Sequence, residues 1–240
     1  MPLFVLKERY ERIDVPFHVH RRAQLIHVSR GTLTVATQNH QWTIPPQRGV
    51  WIAPGTEHRI VSATPFTLTT CYVEPQHFGA RQQGIVAVDA LTHALLPEVA
   101  GLGPDWKTPD ARRLVAVLFD RLDALPDPRT GLPISSSEPL ARLTKILLND
   151  PSIQDPLSIL APRAGLSERT AARHFLSELG MSFGEWRCQL RLQTALARLG
   201  AGIPVSETAF DVGYKDVSSF ITAFRTEFGN SPGQMFRDKS

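Results

Sequence analysis

The 240-residue sequence predicts an α+β protein of two domains, a small β-barrel with flanking helices followed by an all-α domain built from two helix-turn-helix units. Two observations lead to this fold class. Short stretches rich in β-branched and aromatic residues, separated by turn residues, fill the first third of the chain. In the last third, a helical pattern of apolar residues repeats itself at a nearly constant offset. A chain of this length exceeds one typical domain, which also favours two.

The β pattern extends from Phe4 to about Gln76. Its apolar stretches, at residues 25–28, 32–35, 42–44, 50–52 and 66–73, are the predicted strands. Turn-forming residues separate them, among them Arg30-Gly31 and Pro54-Gly55. Many short strands with regular turns indicate a small sandwich or barrel. We therefore expect a barrel domain over residues 1–80.

Helical periodicity replaces the β pattern over residues 81–126. One amphipathic run, predicted to close at Pro97, contains Ile85, Val88, Leu91, Leu95 and Leu96. A second run spans Asp110 to Leu125, with an apolar stripe of Leu114, Val117, Leu118, Leu122 and Leu125. These helices either support dimerisation or pack on the outside of the barrel.

A linker is predicted over residues 127–138. This stretch combines Pro128, Gly131 and Pro133 with three consecutive serines, a composition that does not favour a core element. The all-α domain is then expected over residues 139–240. It opens with a helix from Pro139 to Asn149.

The repeat lies between Leu157 and Met235. Gly165 corresponds to Gly213, an offset of 48 (213 − 165), and Gly180 corresponds to Gly229, an offset of 49 (229 − 180). One residue is therefore inserted within the second copy. Glycines in register at such a period indicate two copies of one supersecondary unit.

Each copy has the pattern of helix, tight turn and helix. Gly165 and Gly213 are expected at positive φ in the turns, and Ser167 and Asp216 are expected to cap the second helices. Two sets of apolar residues are predicted to face inward on those helices: Ala171, Phe175, Leu176 and Leu179 in the first copy, and Phe220, Phe224 and Phe228 in the second. This is the helix-turn-helix layout, whose second helix enters the DNA major groove.

The last hundred residues resemble the DNA-binding domain of the AraC family. The motifs that carry the resemblance are Gly165-Leu166-Ser167, Gly180-Met181-Ser182-Phe183, Asp211-Val212-Gly213-Tyr214 and the stretch 218–232. One departure is Pro162, which falls within the first helix of the first copy and removes a backbone hydrogen bond there. A long helix from Phe183 to Leu199 is predicted to hold the two recognition helices about one DNA turn apart.

Candidate DNA contacts lie on both predicted recognition helices. Arg169 and Arg173 share the outer face of the first, where a guanidinium can bond a guanine edge bidentately, and Thr170 and Ser167 lie beside them. In the second copy, the base-contacting positions that the resemblance implies are Val217, Ser218 and Thr222. Lys215, Ser219 and Arg225 are the expected phosphate contacts there. The first copy is therefore expected to contact bases more directly.

A histidine cluster is predicted within the barrel. His18 and His20 are two residues apart, so on a strand both imidazoles point to one face. With Gln24, His58 and the turn glycines, they resemble the two sequence motifs of the cupin barrel, in which two histidines, a carboxylate and a third histidine bind a metal. Gln24 stands where a glutamate is usual and is the poorer ligand. The cluster is thus a divalent metal site, an effector pocket without metal, or a structural remnant; His27 and His40 are interpreted as ordinary strand or surface residues.

Charge and cysteine content restrict the function further. The formal charge of +3 permits nucleic-acid binding, and Cys71 and Cys188, the only cysteines, provide no disulfide framework, so a cytoplasmic protein is expected. The charged first ten residues are unlike a secretory signal. The resemblance implies a transcriptional regulator rather than an enzyme. Its implied partners are a double-stranded DNA operator, a small-molecule effector, a second copy in a homodimer and RNA polymerase.

An alternative function remains open on sequence grounds. The chain could be a cupin-type metal-dependent enzyme or a small-molecule-binding protein with a C-terminal helical domain. That alternative needs a stronger metal site than Gln24 suggests, and it leaves the repeat of the C-terminal half unexplained.

Overall fold

The computed structural model describes residues 3–79, 82–103, 106–125 and 131–236. Contacts within the chain divide it into two compact units. The first unit comprises residues 1–37 and 42–131, and the second comprises residues 38–41 and 132–240. None of the helices among these described residues is both long and apolar enough to cross a membrane.

The first unit is built on two antiparallel sheets. Its strands are β1 Leu3–Tyr10, β2 Ile13–His18, β3 Ala23–Arg30, β4 Leu33–Thr37, β5 His40–Ile44, β6 Arg48–Ile52, β7 His58–Ser62, β8 Phe66–Val73 and β9 Gly84–Ala87. One sheet has the order β1-β8-β3-β6-β9, and the other contains β5-β4-β7-β2. The five strands predicted from the sequence are all present as β3, β4, β5, β6 and β8, and β1, β2, β7 and β9 are additional.

A core of apolar side chains fills the space between the two sheets. Ile26 and Val28 come from one sheet and Val35 and Ile60 from the other, and Trp42 is almost fully buried among them. Because side chains alternate along a strand, Gln24 shares its face of β3 with Ile26 and Val28. Gln24 is therefore directed into the interior between the sheets.

Helices cover the outer face of the first sheet. They are α1 Pro75–Phe78, α2 Ala90–Gly101 and α3 Pro109–Asp123. Leu96 of α2 and Leu118 of α3 pack with Leu25 and Trp51 of the sheet in one buried cluster. Within this unit, α2 and α3 therefore pack on the outside of the barrel, which is one of the two roles that the sequence left open for them.

The helical region differs from its prediction in three places. Ile85 lies in strand β9, which pairs with β6, so the first amphipathic run begins only after Val88. Pro97 lies inside α2 instead of ending it. Val117 is 43% exposed because α3 buries the stripe through Val115, Leu118 and Leu122. Strand pairing with a distant partner and the rotation of α3 are tertiary effects that a local pattern does not fix.

The second unit is helical apart from one short strand. Its elements are β10 Leu132–Pro133, α4 Glu138–Asn149, α5 Leu157–Arg163, α6 Glu168–Leu179, α7 Phe183–Gly200, α8 Val205–Asp211, α9 Val217–Phe228 and α10 Pro232–Met235. Two apolar cores form in it, and α7 contributes to both. Trp186 and Leu190 belong to the first core, whereas Leu192 and Leu196 belong to the second.

The predicted linker requires a correction in its second half. Residues 126–130 lie outside the described residues, but Leu132 is buried in the first core of the second unit. The carbonyl of Pro133 accepts a hydrogen bond of 2.9 Å from the indole of Trp186. Ser135 and Ser137 both donate to a carboxylate oxygen of Glu178 at 2.6 Å. Residues 132–137 are therefore packed, because α6 and α7 supply partners that the composition of this stretch does not reveal.

Candidate nucleic-acid interface and effector site

The second unit contains the predicted repeat at the level of whole elements. Helices α5 and α8 have seven residues each, and α6 and α9 have twelve each. Leu157 and Val205, which begin α5 and α8, differ by 48, whereas Glu168 and Val217, which begin α6 and α9, differ by 49. The inserted residue therefore lies between Gly213 and Asp216, in the turn of the second copy.

The two turns share one backbone conformation. Gly165 has φ of +77° and Gly213 has φ of +87°, in the left-handed region that glycine tolerates. The amide after each glycine closes the turn in the same way. Leu166 N donates to the carbonyl of Ala161 at 3.0 Å, and Tyr214 N donates to that of Ala209 at 2.9 Å. The predicted positive φ at both glycines is confirmed.

Side-chain caps define the start of each recognition helix. Ser167 accepts a hydrogen bond from the amide of Thr170 at 3.2 Å, and Asp216 accepts one from the amide of Ser219 at 2.8 Å. Both predicted N-caps are confirmed. Each cap satisfies a helix-terminal N–H that would otherwise have no partner, so the start of each recognition helix is fixed by sequence.

Pro162 does not shorten the helix that contains it. It is the sixth of seven residues in α5, and α8, which has no proline, has the same length. In the last turn of so short a helix, proline removes only one hydrogen bond. The departure from the family pattern therefore leaves the geometry of the first copy intact.

Each recognition helix buries one stripe and exposes the rest. Helix α6 buries Ala171, Phe175 and Leu179, and α9 buries its three phenylalanines at the equivalent positions. Leu176 was expected to face inward but is 61% exposed. A residue next to Phe175 is rotated by about 100° around the helix, so Leu176 leaves the stripe of positions four apart.

The predicted DNA-contact residues are mostly accessible. Eight of them are exposed: Ser167, Arg169, Arg173, Lys215, Ser218, Ser219, Thr222 and Arg225. Thr170 and Val217 are half-buried, and Val217 packs against the second core. The hydroxyl of Ser219 already donates to Asp216 at 2.8 Å, and that of Ser167 donates to Thr170 at 2.9 Å. These two serines therefore contribute first to capping.

The cations on or next to the recognition helices differ from three other arginines of this unit. Arg142 and Arg163 are paired with Glu138 and Asp155 at 2.7 and 3.0 Å, and Arg198 is paired with Asp211. Among the described residues, no carboxylate forms an ion pair with Arg169, Arg173, Lys215 or Arg225. These four exposed charges are available to an anionic partner such as a DNA phosphate or a base edge.

Helix α7 connects the two copies. Its 18 residues, at about 1.5 Å each, span about 27 Å. Ser182 and Glu185 form a capping box at its start, with hydrogen bonds of 3.3 and 2.7 Å. Because α7 contributes to both apolar cores, it is a rigid spacer between the two helix-turn-helix copies.

Three histidines converge in the first unit. His18 ends β2, His58 begins β7 opposite it, and His20 follows two residues after His18. One nitrogen from each ring lies within 4.8 Å of the others. The amide of Gly55 donates to the carbonyl of His20 at 2.9 Å, so the predicted Pro54-Gly55 turn holds this segment in place.

Backbone carbonyls set the tautomers of two of these rings. Nδ1 of His18 lies 2.8 Å from the carbonyl oxygen of Pro16, and Nδ1 of His58 lies 3.0 Å from that of Thr56. A carbonyl only accepts, so each Nδ1 carries the proton and each Nε2 keeps its lone pair. Burial lowers the pKa of His58 to about 4, and burial followed by the charge of His18 lowers the pKa of His20. The rings of His20 and His58 are therefore neutral near pH 7.

Gln24 joins this cluster through a residue that the sequence did not single out. Its amide nitrogen donates to the hydroxyl of Tyr72 at 3.3 Å, and the ring of Tyr72 lies 5.3 Å from that of His20, edge to face. Tyr72 pairs with Gln24 across β8 and β3. The pairing of β3 with β8 joins residues 48 positions apart, so the local sequence does not predict it. The alternation of side chains within β8 is the one local signal that could have placed Tyr72 on the interior face.

Two polar atoms of the cluster are buried without a hydrogen-bond partner among the described residues. They are Nε2 of His58 and Oε1 of Gln24. Such orphaned atoms are rare in proteins, and a water, an ion or a ligand can satisfy them. Tetrahedral zinc with Zn–N distances of about 2.0–2.1 Å needs N···N separations of about 3.4 Å, so the three rings would close by about 1.5 Å at most. The donor set fits a divalent transition metal.

His27 differs from its interpretation as an ordinary strand residue. It is 1% exposed, its Nδ1 lies 2.8 Å from the carbonyl oxygen of Arg48, and its Nε2 lies 2.9 Å from Nδ1 of His93 on α2. Burial lowers its pKa to about 4. It points away from Gln24, to the helix-covered face of the sheet.

A β-sheet unit with a convergent polar site, followed by a unit with two exposed recognition helices, defines a ligand-responsive DNA-binding regulator. Residues 2–97 match the family model of the AraC-like ligand binding domain, and residues 160–238 match that of the helix-turn-helix domain. The chain is 31% identical over 233 residues to the HTH-type transcriptional regulator NimR of Escherichia coli (strain K12), covering 96% of this chain and 85% of NimR. The chain belongs to the AraC family of transcriptional regulators.

Two further similarities cover different extents of the chain. The HTH-type transcriptional regulator RipA of Corynebacterium diphtheriae is 30% identical over 118 residues, which are 49% of this chain and 33% of RipA. The crystal structure of ToxT from Vibrio cholerae O395 aligns over 99% of both chains with a TM-score of 0.43 and 11% identity. Family membership identifies a transcriptional regulator and not the cupin-type enzyme that the sequence had left open.

Proposed function

We propose that the second unit binds an operator by placing α6 and α9 in adjacent segments of the major groove. The observation that carries this proposal is the repeat itself. Two recognition helices of equal length expose equivalent faces, bear cations without carboxylate partners, and are separated by the rigid α7. The length of α7, about 27 Å, extended by side chains, approaches the ~34 Å of one DNA turn.

The two recognition helices are proposed to have different roles. Arg169 and Arg173 on α6 can bond guanine edges, with Thr170 and Ser167 close to a phosphate or a thymine methyl group. The equivalent face of α9 presents Ser218, Thr222 and Val217, which are small and uncharged. Lys215, Ser219 and Arg225 are assigned to phosphates. Base selection should therefore depend more on α6, and α9 should contribute more to positioning the protein on the DNA duplex.

This proposal is tested by selecting duplexes from random-sequence DNA with the purified full-length protein. Methylation of guanine N7 together with ethylation of phosphates should then interfere with binding at two segments about one helical turn apart. The affinity should also fall steeply with salt, since phosphate contacts release counterions. Interference confined to one segment would contradict the assignment of α9 to the major groove.

We further propose that the His18, His20, His58 and Gln24 cluster is the effector site of the first unit, and that its ligand is a divalent transition metal. Three imidazole ligands favour zinc, copper or nickel over magnesium or calcium. The carbonyls that accept from His18 and His58 orient these rings as the outer hydrogen bonds of metal-binding histidines commonly do. The orphaned amide oxygen of Gln24 supports a fourth, neutral ligand.

Zinc titration of the full-length protein tests this assignment. His58→Ala should abolish binding of one zinc equivalent while leaving the affinity for the selected duplex unchanged, and it should alter reporter output. His77→Ala, which removes an exposed histidine on α1, is the matched control. If wild type and His58→Ala bind zinc equally and regulate the reporter equally, the cluster is a structural remnant. If neither wild type nor His58→Ala binds zinc, but the variant changes the reporter response, the effector is not a metal.

A homodimer is part of the proposal. Helices α2 and α3 expose Leu91 and Val117, which are 50% and 43% accessible, so an apolar surface is available on both. Val117→Glu should shift the sedimentation coefficient towards that of the monomer.

Contact with RNA polymerase is proposed because the chain belongs to a family of transcriptional regulators, and an activator would need this contact. Activation of a reporter in a purified transcription reaction tests it.

A further inference from the structure

The loop between α4 and α5, residues 150–156, runs along α7 to the turn of the second helix-turn-helix copy. Arg191 of α7 donates from Nε to the carbonyl of Pro151 at 3.0 Å and from Nη2 to that of Ile153 at 2.9 Å. Gln154 donates from its side-chain amide to the carbonyl of Gly213 at 2.5 Å. The loop therefore joins α7 to the second turn.

The contact at Gly213 leaves no space for a side chain. A Cβ at this position would lie 2.8 Å from Nη2 of Arg191 and 2.9 Å from the carbonyl oxygen of Ser152. The equivalent Gly165 of the first copy has only Nη2 of Arg142 nearby, at 3.7 Å. The close contact is thus specific to the second copy and does not follow from the turn conformation that the two copies share.

The same loop is also fixed to the first copy. Asp155 forms an ion pair of 3.0 Å with Arg163 of α5, and its carbonyl accepts from Nη1 of Arg187 at 3.0 Å. Ile153 packs against the first core. The loop consequently bonds to the first copy at one end and to the second copy at the other.

This arrangement gives the two copies a second connection. Helix α7 contributes to both cores and fixes the distance between them, and the loop adds contacts on a second side that oppose rotation of the second copy about α7. Arg191 and Gln154 hold the turn of that copy from the side. Both bonds of Arg191 end on backbone carbonyls, so its planar guanidinium fixes the direction of the loop as well as its distance.

We propose that Arg191 and Gln154 are positioning residues that fix the orientation of α9 relative to α6 and thereby make the protein selective for the spacing of its two DNA segments. Neither residue is assigned a DNA contact. The inference rests on the proposed entry of both recognition helices into the major groove. It adds a determinant of specificity that acts through geometry and not through a base.

The test uses the full-length protein and a duplex selected from random DNA, together with versions that carry one inserted or one deleted base pair between the two segments. A one-pair change rotates the second segment by about 34° and moves it by about 3.4 Å. Wild type should lose at least ~10-fold in affinity on the respaced duplexes, a loss of the size that a mismatched pair causes. A duplex that keeps only the α6 segment measures the first copy alone.

Gln154→Ala and Arg191→Lys should reduce the spacing penalty at least threefold, on the order of half the wild-type loss on a logarithmic scale. Their affinities for the one-segment duplex should equal that of wild type. Gln154 is exposed, so its substitution spares the core, and Lys145→Gln on the exposed face of α4 is the matched control. Thermal unfolding checks that each variant is folded.

Three results would overturn the proposal, and they differ in what they imply. An unchanged spacing penalty in both folded variants would mean that α7 alone sets the spacing. An equal loss on all duplexes, including the one-segment duplex, would mean that the two residues act only on stability. A wild type that binds respaced and one-segment duplexes as tightly as the selected one would remove the two-segment contact itself, and with it the proposed function.

Discussion

Arg169 and Arg173 are the residues on which base selection should depend most. If α6 enters the major groove as proposed, each Arg→Ala substitution would remove up to two hydrogen bonds to a base edge, so specific binding should weaken by about 1–3 kcal/mol. The preference for one base pair should relax at the same time. Fluorescence anisotropy with the selected duplex and its single-pair variants measures both effects.

Lys145→Ala is the control for these arginine variants, because it removes one exposed charge from the same unit outside the recognition helices. It should change affinity only slightly and leave base preference intact. Wild-type affinity and preference in both arginine variants would exclude α6 as the base-contacting helix.

The histidine cluster should release metal only in strongly acidic solution. From the reference pKa of histidine alone, release is expected below pH ~6.5, where protons begin to compete. Burial lowers the pKa of His58 to about 4, and the pKa of His20 is lowered as well. The metal-binding neutral form therefore persists further into acid. Zinc should remain bound after dialysis at pH 5.5 and be lost near pH 4.

Atomic absorption of the dialysed protein measures this retention. The sample must be returned to pH 7.5 and reloaded, so that reversible release is distinguished from acid unfolding. Complete loss of zinc already at pH 5.5, with the fold intact, would mean that these histidines titrate like solvent-exposed ones.

At the scale of elements, the two helix-turn-helix turns should respond differently to the same substitution. Gly213→Ala and Gly165→Ala both force a side chain into the left-handed conformation, which costs about 1–2 kcal/mol. At Gly213 the new Cβ would also lie within 3 Å of Arg191 and of the Ser152 carbonyl, whereas Gly165 has space. Gly213→Ala should therefore lower the unfolding temperature more, and Gly213→Val should abolish operator binding.

Calorimetry of the full-length variants provides the comparison, with Gly165→Ala as the matched control for backbone conformation. The first unit should still unfold as in wild type, because Arg191, Ser152 and Gln154, which contact Gly213, all belong to the second unit. Equal destabilisation by the two alanine substitutions would show that the close contacts of Gly213 with Arg191 and the Ser152 carbonyl can accommodate a methyl group.

At the scale of the whole molecule, acid should destabilise the protein through its buried histidines. His27 has a pKa of about 4 in the folded state against 6.5 as a reference, so below pH 6.5 the unfolded chain binds the proton more readily. The stability is fully present above pH 6.5 and is lost as pH falls towards 4. At 1.36 kcal/mol per pKa unit, His27 alone accounts for about 3 kcal/mol.

Urea unfolding at pH 7.5, 6.0 and 5.0 measures this dependence. His27→Gln keeps an amide that can donate to the Arg48 carbonyl but no longer titrates, so its stability should vary less with pH. The same slope in the variant and in wild type would assign the acid sensitivity to other groups, such as His58 or His20.

Much of the second unit could be predicted from the sequence, because its signals are local. Ser167 and Asp216 cap helices by bonding to amides three residues away, and Gly165 and Gly213 end helices through their own φ. The offset of the repeat locates the helix pairs from the sequence alone. In the first unit, the spacing of His18 and His20 predicted neighbouring rings, and the ring centroids lie 4.9 Å apart although His20 lies beyond the end of β2.

Only the tertiary structure decided which distant parts of the chain come into contact. Tyr72 reaches Gln24 because β8 and β3 pair in one register, and His27 meets His93 because α2 packs on that sheet. Ile85 lies in a strand because β6 offers an open edge, although its local pattern is equally compatible with a helix. Propensity and periodicity describe single elements, whereas register, helix rotation and loop packing depend on partners tens of residues away. The sequence alone therefore determined the class of protein, and tertiary packing determined which of its distant residues meet.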